Sequence, residues 1–211
     1  ITCRDWSSDV CSSDLLLAER YRLEPALAFW ELCNEIDLAV TDPIALDDAQ
    51  IFLRADWIRE MARFLKAVDP ARRPLTVSVA DAYGPLGAIS RDASLDFVSP
   101  HEYLPDTNAA MSGYTLDEFD SLAALIRLSL TAGKPVLCCE YGLHAPGAVL
   151  TRAHLDPGGA HIKHFIWASA AMPFAGPALP WWGEDYIFGR QLDSLWGPLT
   201  GWRSTFYPPS G

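Results

Sequence analysis

Positive charge is scarce in this sequence. Lys and Arg together number 16 against 27 Asp and Glu, a net charge of −11. An acidic surface repels phosphate backbones and anionic headgroups, which argues against nucleic acid and against a membrane as partner. No apolar run approaches the ~18 residues that would span a bilayer. The five cysteines, Cys3, Cys11, Cys33, Cys138 and Cys139, never stand in a CxxC spacing, so neither a zinc ribbon nor a redox dithiol is indicated. Cys138 and Cys139 sit side by side in an apolar run and read as two small buried hydrophobes. Histidine is also sparse, with no HxH or HExxH. His161 and His164 are spaced i, i+3, but no carboxylate accompanies them in the sequence, so no metal and no other cofactor is expected. His144 and His154 read as solvated loop residues, and Asp42 to Asp48 as an ordinary acidic face. The first fifteen residues contain no apolar stretch of the signal-peptide kind.

Half of the 211 residues are hydrophobic, enough for one sizeable core. The stretch from Asp5 to Leu15, DWSSDVCSSDL, is polar and low in complexity, and unlike the rest of the chain. Its back-translation, begun at Arg4, resembles one reading frame of a common short-read sequencing adapter. Residues 1–15 are therefore expected to be non-native, which would leave Cys3, Trp6 and Cys11 without a chemical role. The remainder, 16–211, is expected to be one piece of a catalytic domain.

From Leu16 onward, helical and strand-like segments alternate. LLLAERYRLEPA has helical spacing and ends near Pro25, and LAFWELCNE is a short apolar run closing on a polar pair. Asp47 to Val68 predicts a long amphipathic helix whose apolar positions are Phe52, Leu53, Trp57, Ile58, Met61, Phe64 and Leu65. Thr115 and Glu118 form a capping box for a helix reaching Gly133. Ala160 to Ala171 and Gln191 to Leu195 read as further helices. Strands are expected at 28–34, 75–81, 95–101, 135–140 and 176–182. Strands separated by helices imply βαβ units and a parallel sheet. Polar and aromatic residues gather at the C-terminal ends of four of the five, where a (β/α)₈-barrel keeps its site. A doubly wound sheet is the alternative, but no Gly-rich phosphate loop follows its first strand.

Glu35 and Glu140 each follow an apolar strand directly. A carboxylate in such a place is costly without a partner or a job. Hydrolysis of a glycoside with retention needs two carboxyls ~5–5.5 Å apart, one attacking the anomeric carbon and one protonating the leaving oxygen. Asn34 could hydrogen-bond a sugar hydroxyl beside the cleaved bond, and Tyr103 could donate to Glu140. His101 stands two residues before Tyr103, on the same side of an extended segment. Trp181 and Trp182 could stack on a sugar ring, whereas Trp30, Trp57, Trp167 and Trp196 read as core.

In order, Asn34-Glu35, His101-Glu102-Tyr103, Glu140-Tyr141-Gly142 and Trp181 or Trp182 resemble the strand ends four, six, seven and eight of glycoside hydrolase clan A, nearest to the cellulase and mannanase type of family five. HIKHFIWASAAMPFAGPALPWW also resembles a stretch in uncharacterised family-five-like proteins. The resemblance implies an α/β fold, a partial TIM (β/α)₈-barrel containing strands 4 to 8 with the first three missing. It implies Glu35 as acid/base and Glu140 as nucleophile, with Asn34, His101, Tyr103, Trp181 and Trp182 binding substrate. The substrate would be a carbohydrate of the β-glucan or β-mannan class. The pattern departs from the family at Cys33, where an aromatic is frequent, and at Gly183-Glu184, where a Trp-acidic pair is usual. Two other readings stand beside the hydrolase: a carbohydrate-binding barrel without catalysis, and a metal-dependent barrel hydrolase.

Overall fold

The computed structural model describes residues 20–38, 48–84, 87–104, 119–143, 156–181 and 183–198. The expected adapter-derived segment, the Thr115–Glu118 capping box, His144, His154 and Trp182 lie outside these residues, as does all of Asp42 to Asp48 but Asp48. Where one core was expected, the chain divides into two compact units. One comprises Ile1–His101 with Ala132–Val136, the other Glu102–Thr131 with Leu137–Gly211.

In the first unit, β1 (Trp30–Glu31) pairs in parallel with β2 (Leu75–Thr76), and β3 (Ser78–Val79) pairs in parallel with Ser99 and Pro100 of β4 (Ser99–Leu104), a strand whose residues from Glu102 on are counted in the second unit. The registers are Trp30↔Leu75 and Ser78↔Ser99. A parallel bridge between Val98 and Val136 extends the pattern. Thr76, Val77, Ser78 and Val79 are all buried. Residues pointing to opposite faces of the strand are therefore both enclosed, as parallel strands require. The regular strands are shorter than the sequence suggests, yet backbone bonds continue past them. Leu32 donates to Thr76, Ser78 to Cys33 and Ile36 to Ser78.

Helix α1 (Asp48–Val68) begins within a residue of its expected start. Its buried line is Ala55, Ile58, Ala62 and Leu65, at spacings of three and four. Phe52 and Leu53, expected on the apolar face, are each 65% exposed. Alanines instead bring the helix close to its neighbours. Asp69 ends it, accepting the N–H groups of Ala71 and Arg73 at 3.0 Å each. Arg73 forms an ion pair with Asp69 at 2.7 Å and donates to the carbonyls of Arg22, Glu24 and Leu27. Trp30, expected in the core, is half-buried, and its indole N–H reaches Asp69 at 3.0 Å. Of the first expected helix, only Arg20 and Tyr21 are helical among the described residues, and turns follow them. A 3₁₀ turn at Gly87–Arg91 was not anticipated.

In the second unit, α2 (Phe119–Thr131), β5 (Glu140–Leu143) and α3 (Ala160–Ala171) follow one another. The strand expected at 135–140 becomes regular only at Glu140. The segment expected at 176–182 runs parallel beside it through a Tyr141–Pro180 bridge. Leu179 donates to Cys138, and Tyr141 donates to Leu179. Tyr141 stacks on Phe165 of α3 with ring centroids 3.5 Å apart, and Ser169 accepts the Ala178 N–H at 2.8 Å. A π-helical turn at Gly183–Phe188 and a 3₁₀ turn at Leu192–Trp196 close the described chain, where a weak helix was expected. Trp57 and Trp167, like Trp30, are half-buried; Trp196 is half-buried too but packs against the core cluster of Ile162, Ile166, Tyr186, Ile187 and Leu192; Cys138 is buried but Cys139 only half-buried.

The start of α3 corrects the reading of His161. A carboxylate does accompany it: Asp156 accepts both the backbone N–H and the ring Nδ1–H of His161. Tyr186 stacks on that ring and donates its hydroxyl to the Asp156 carbonyl. The pair is buried within the unit and committed to structure, while His164, its i+3 neighbour, is exposed. Gly159 precedes the helix at φ 68°, and a Cβ there would come within 2.9 Å of Leu195. Only glycine meets both demands.

Candidate active site

Two constellations emerge, one in each unit. In the first, the strand through Trp30 and Glu31 delivers Asn34 and Glu35, both half-buried. Glu35 has φ 46°, in the left-handed region. For a glutamate this costs about 1–2 kcal/mol, and such residues cluster where geometry serves a function. The conformation interrupts the up-down alternation of an extended chain. It is held by three bonds. The Glu35 N–H donates to Ser78 Oγ at 2.9 Å, the Leu38 N–H reaches the Glu35 carbonyl at 3.0 Å, and Ile36 donates to the Ser78 carbonyl at 3.2 Å.

The Glu35 carboxylate does not stand alone. His101 Nδ1 lies 2.9 Å from Glu35 Oε1, with the histidine side chain 1% exposed and the glutamate 20%. With Glu35 ionised, Nδ1 carries the hydrogen of that bond. The resemblance implies that His101 binds substrate; in the structure its Nδ1 is engaged with Glu35. Behind Glu35, Asp37 accepts the N–H groups of Ala80 and Asp81 at 2.8 and 2.7 Å, tying the two strand-end loops together. Cys33 directs its thiol at the Asn34 carbonyl at 3.5 Å.

In the second unit, Tyr103 Oη donates to Glu140 Oε2 at 2.5 Å, a charge-assisted bond when the glutamate is ionised. The neighbouring Cys138 donates its thiol to the Glu140 carbonyl at 3.1 Å. Burial, chiefly, pushes that thiol well above its usual range, so it stays protonated and unreactive. Trp181 is 44% exposed, and its backbone N–H is fixed to the Tyr141 carbonyl at 2.7 Å. An indole of this exposure has area available for stacking on a ring.

Glu35 thus comes with His101, and Glu140 with Tyr103; Trp182 lies outside the described residues. Ser78 was missed. Its signal was the alternation Thr76-Val77-Ser78-Val79, in which a polar residue recurs every second position of a strand buried on both faces.

The two α/β units with parallel strands belong to a known class of fold. The chain shares the α/β fold of its solved structural neighbours, which are TIM-barrel glycosidases. Among solved structures it is similar to a Bifidobacterium dentium β-glucuronidase, at a TM-score of 0.55 and 19% identity, over 83% of this chain and 28% of that one. It is also similar to an endo-β-1,4-mannanase of Thermotoga petrophila, at a TM-score of 0.50 and 19% identity, over 83% of this chain and 42% of that one. In sequence it is similar to Mannan endo-1,4-beta-mannosidase 2 of Arabidopsis thaliana. The two are 29% identical over 151 residues, covering 58% of this chain. The chain spans 32% of that relative's length. No protein-family model matches it.

Proposed function

We propose that the chain is the part of a (β/α)₈-barrel containing strands 4 to 8, and that it carries the two catalytic carboxylates of a retaining β-glycoside hydrolase. Glu140 is the nucleophile and Glu35 the acid/base. The observation that carries this reading is that each carboxylate has its own hydrogen-bonding attendant within its unit, His101 on Glu35 and Tyr103 on Glu140. A carboxylate at a strand end that served only as a cap would have no use for a buried histidine or a short phenol bond.

In the first step an oxygen of Glu140 attacks the anomeric carbon. The glycosidic C–O bond breaks, and Glu35 gives its proton to the departing oxygen. In the second step water attacks the same carbon and yields a proton to Glu35, and the Glu140 carboxylate is released. Two displacements at one centre restore the β-configuration. Asn34 hydrogen-bonds the hydroxyl next to the cleaved bond, and Trp181 supplies a stacking surface. The named activities of the Arabidopsis relative and the Thermotoga neighbour favour a β-mannan substrate over a β-glucan.

Glu140→Gly, made in the protein that carries this sequence, should abolish hydrolysis of mannan oligosaccharides and leave their binding largely intact. A 2-fluoro mannoside with a good leaving group should label the unsubstituted protein once, on Glu140, as seen by peptide mass. Label at another residue, or unchanged turnover in the variant, would sink the assignment. Binding with no turnover in the unsubstituted protein would instead indicate a sugar-binding barrel without catalysis.

A further inference from the structure

We propose that Ser78 is a positioning residue that sets the backbone and orientation of Asn34 and Glu35; this rests on the reading of Glu35 as acid/base. Ser78 is fully buried in β3, between Val77 and Val79. It touches four consecutive residues. Its N–H donates to the Cys33 carbonyl at 3.2 Å, and its carbonyl accepts the Ile36 N–H at 3.2 Å. Its hydroxyl oxygen accepts the Glu35 N–H at 2.9 Å, and its hydroxyl hydrogen faces Asn34 Oδ1 at 3.5 Å.

The backbone pair would survive any substitution that keeps the strand. The hydroxyl pair would not. Alanine at 78 leaves a part-buried N–H of Glu35 without its acceptor, at the residue with φ 46°. An L-residue leaves the left-handed region readily once the bonds that hold it are gone. The strained conformation and the Ser78 bond therefore depend on each other. The same hydroxyl bears on the Asn34 carboxamide, so one side chain orients both members of the dipeptide. The carboxyl of Glu35 is held at its far end by His101 and at its backbone by Ser78. A carboxyl fixed at both ends is aimed at one place, as proton transfer in a transition state demands.

The leaving group of the substrate separates this role from a merely structural one. A dinitrophenyl glycoside departs without a proton, whereas an alkyl or sugar leaving group needs one. kcat/KM reports the steps through glycosyl-enzyme formation. In Ser78→Ala, kcat/KM should fall by about 100-fold for the sugar leaving group, the cost of a small misplacement of the acid. For the dinitrophenyl glycoside it should fall by no more than about threefold, because acid catalysis contributes little there. Ser78→Thr keeps the hydroxyl and should restore the sugar leaving group to within about threefold. Equal losses on both substrates, or no loss on either, would overturn the proposal. Should Ser78→Ala fail to fold, the near-isosteric Ser78→Cys, with its weak S–H donor, carries the same comparison. Amide hydrogen exchange at Glu35 gives a readout without turnover. It should quicken about tenfold in Ser78→Ala and not in Ser78→Thr, matching the loss of one hydrogen bond. If the unsubstituted protein cleaves neither glycoside, the hydrolase reading fails, and unchanged exchange at Glu35 then overturns the placement of Ser78 separately.

Discussion

Arg73→Ala should be among the most damaging single substitutions outside the candidate site. The guanidinium is 10% exposed and its partner Asp69 is 2% exposed. It donates to Asp69 at 2.7 Å and to the carbonyls of Leu27, Arg22 and Glu24 at 2.8, 2.9 and 2.6 Å. Asp69 in turn holds the indole of Trp30, which opens the strand leading to Glu35. Removing one member of a buried ion pair strands the other and costs about 3–5 kcal/mol. For a chain of this size that is a fall in Tm of roughly 6–20 °C. Burial raises the Asp69 carboxyl. The Arg73 and Ala71 N–H groups, the Trp30 indole and the Arg73 charge outweigh it, and the net position is below the ordinary 3.8. A carboxyl held low in the fold contributes its stability in full above its unfolded value. It loses that contribution as pH falls through the lower folded value. The gap between the unsubstituted protein and Arg73→Ala should therefore be full at pH 7 and narrow below about pH 4, as Asp69 takes up a proton. Thermal melts at both pH values read this directly. A Tm within 2–3 °C of the parent at pH 7, roughly 1 kcal/mol, or a gap of constant size down to acid pH, would refute the reasoning.

The second unit offers two further perturbations. Tyr103→Phe removes the 2.5 Å bond to Glu140 with little change in volume, and hydrogen bonds to charged groups contribute about 1.5–3 kcal/mol. kcat/KM for glycoside cleavage should fall about 10- to 150-fold; a fall under threefold would remove Tyr103 from the nucleophile's support. At the head of α3, burial holds the His161 imidazole below its ordinary 6.5, against the pull of Asp156. Its stabilising contribution is then complete above that value and is lost as pH falls. The urea midpoint should drop between pH 7 and 5, and His161→Asn should lessen that slope; an identical slope would show that other groups carry it.

The polar strand ends were legible because burying a carboxylate after an apolar run is costly, and that cost shows in the sequence as an anomaly. Helices α1 and α3 were legible to within a residue because their periodicity is long. The choice of buried face in α1 was not. Ala55 and Ala62 count little on a hydrophobic scale, yet they let the helix approach, while Phe52 and Leu53 stay outside. His161 was misjudged for a related reason. Its carboxylate, Asp156, lies before the helix, where a search at i±3 or i±4 does not look. For Ser78 the alternation with Thr76 marks a polar position in a buried strand, but its partners follow only from the register against Cys33 and Ile36.

The left-handed backbone at Glu35 also bears on how such a site would decay. On the proposed reading of Glu35 as acid/base, selection for turnover keeps a glutamate where the backbone disfavours one. A copy released from that selection meets an easy exit at this position, since glycine and asparagine relieve the strain while the surrounding bonds persist. Lineages that keep the sugar surface and lose the chemistry should therefore drift first at 35, and toward those two residues. The same substitutions at Glu140 would find no such slope. The order in which the two carboxylates vanish among relatives would then record which was held against the grain of the chain.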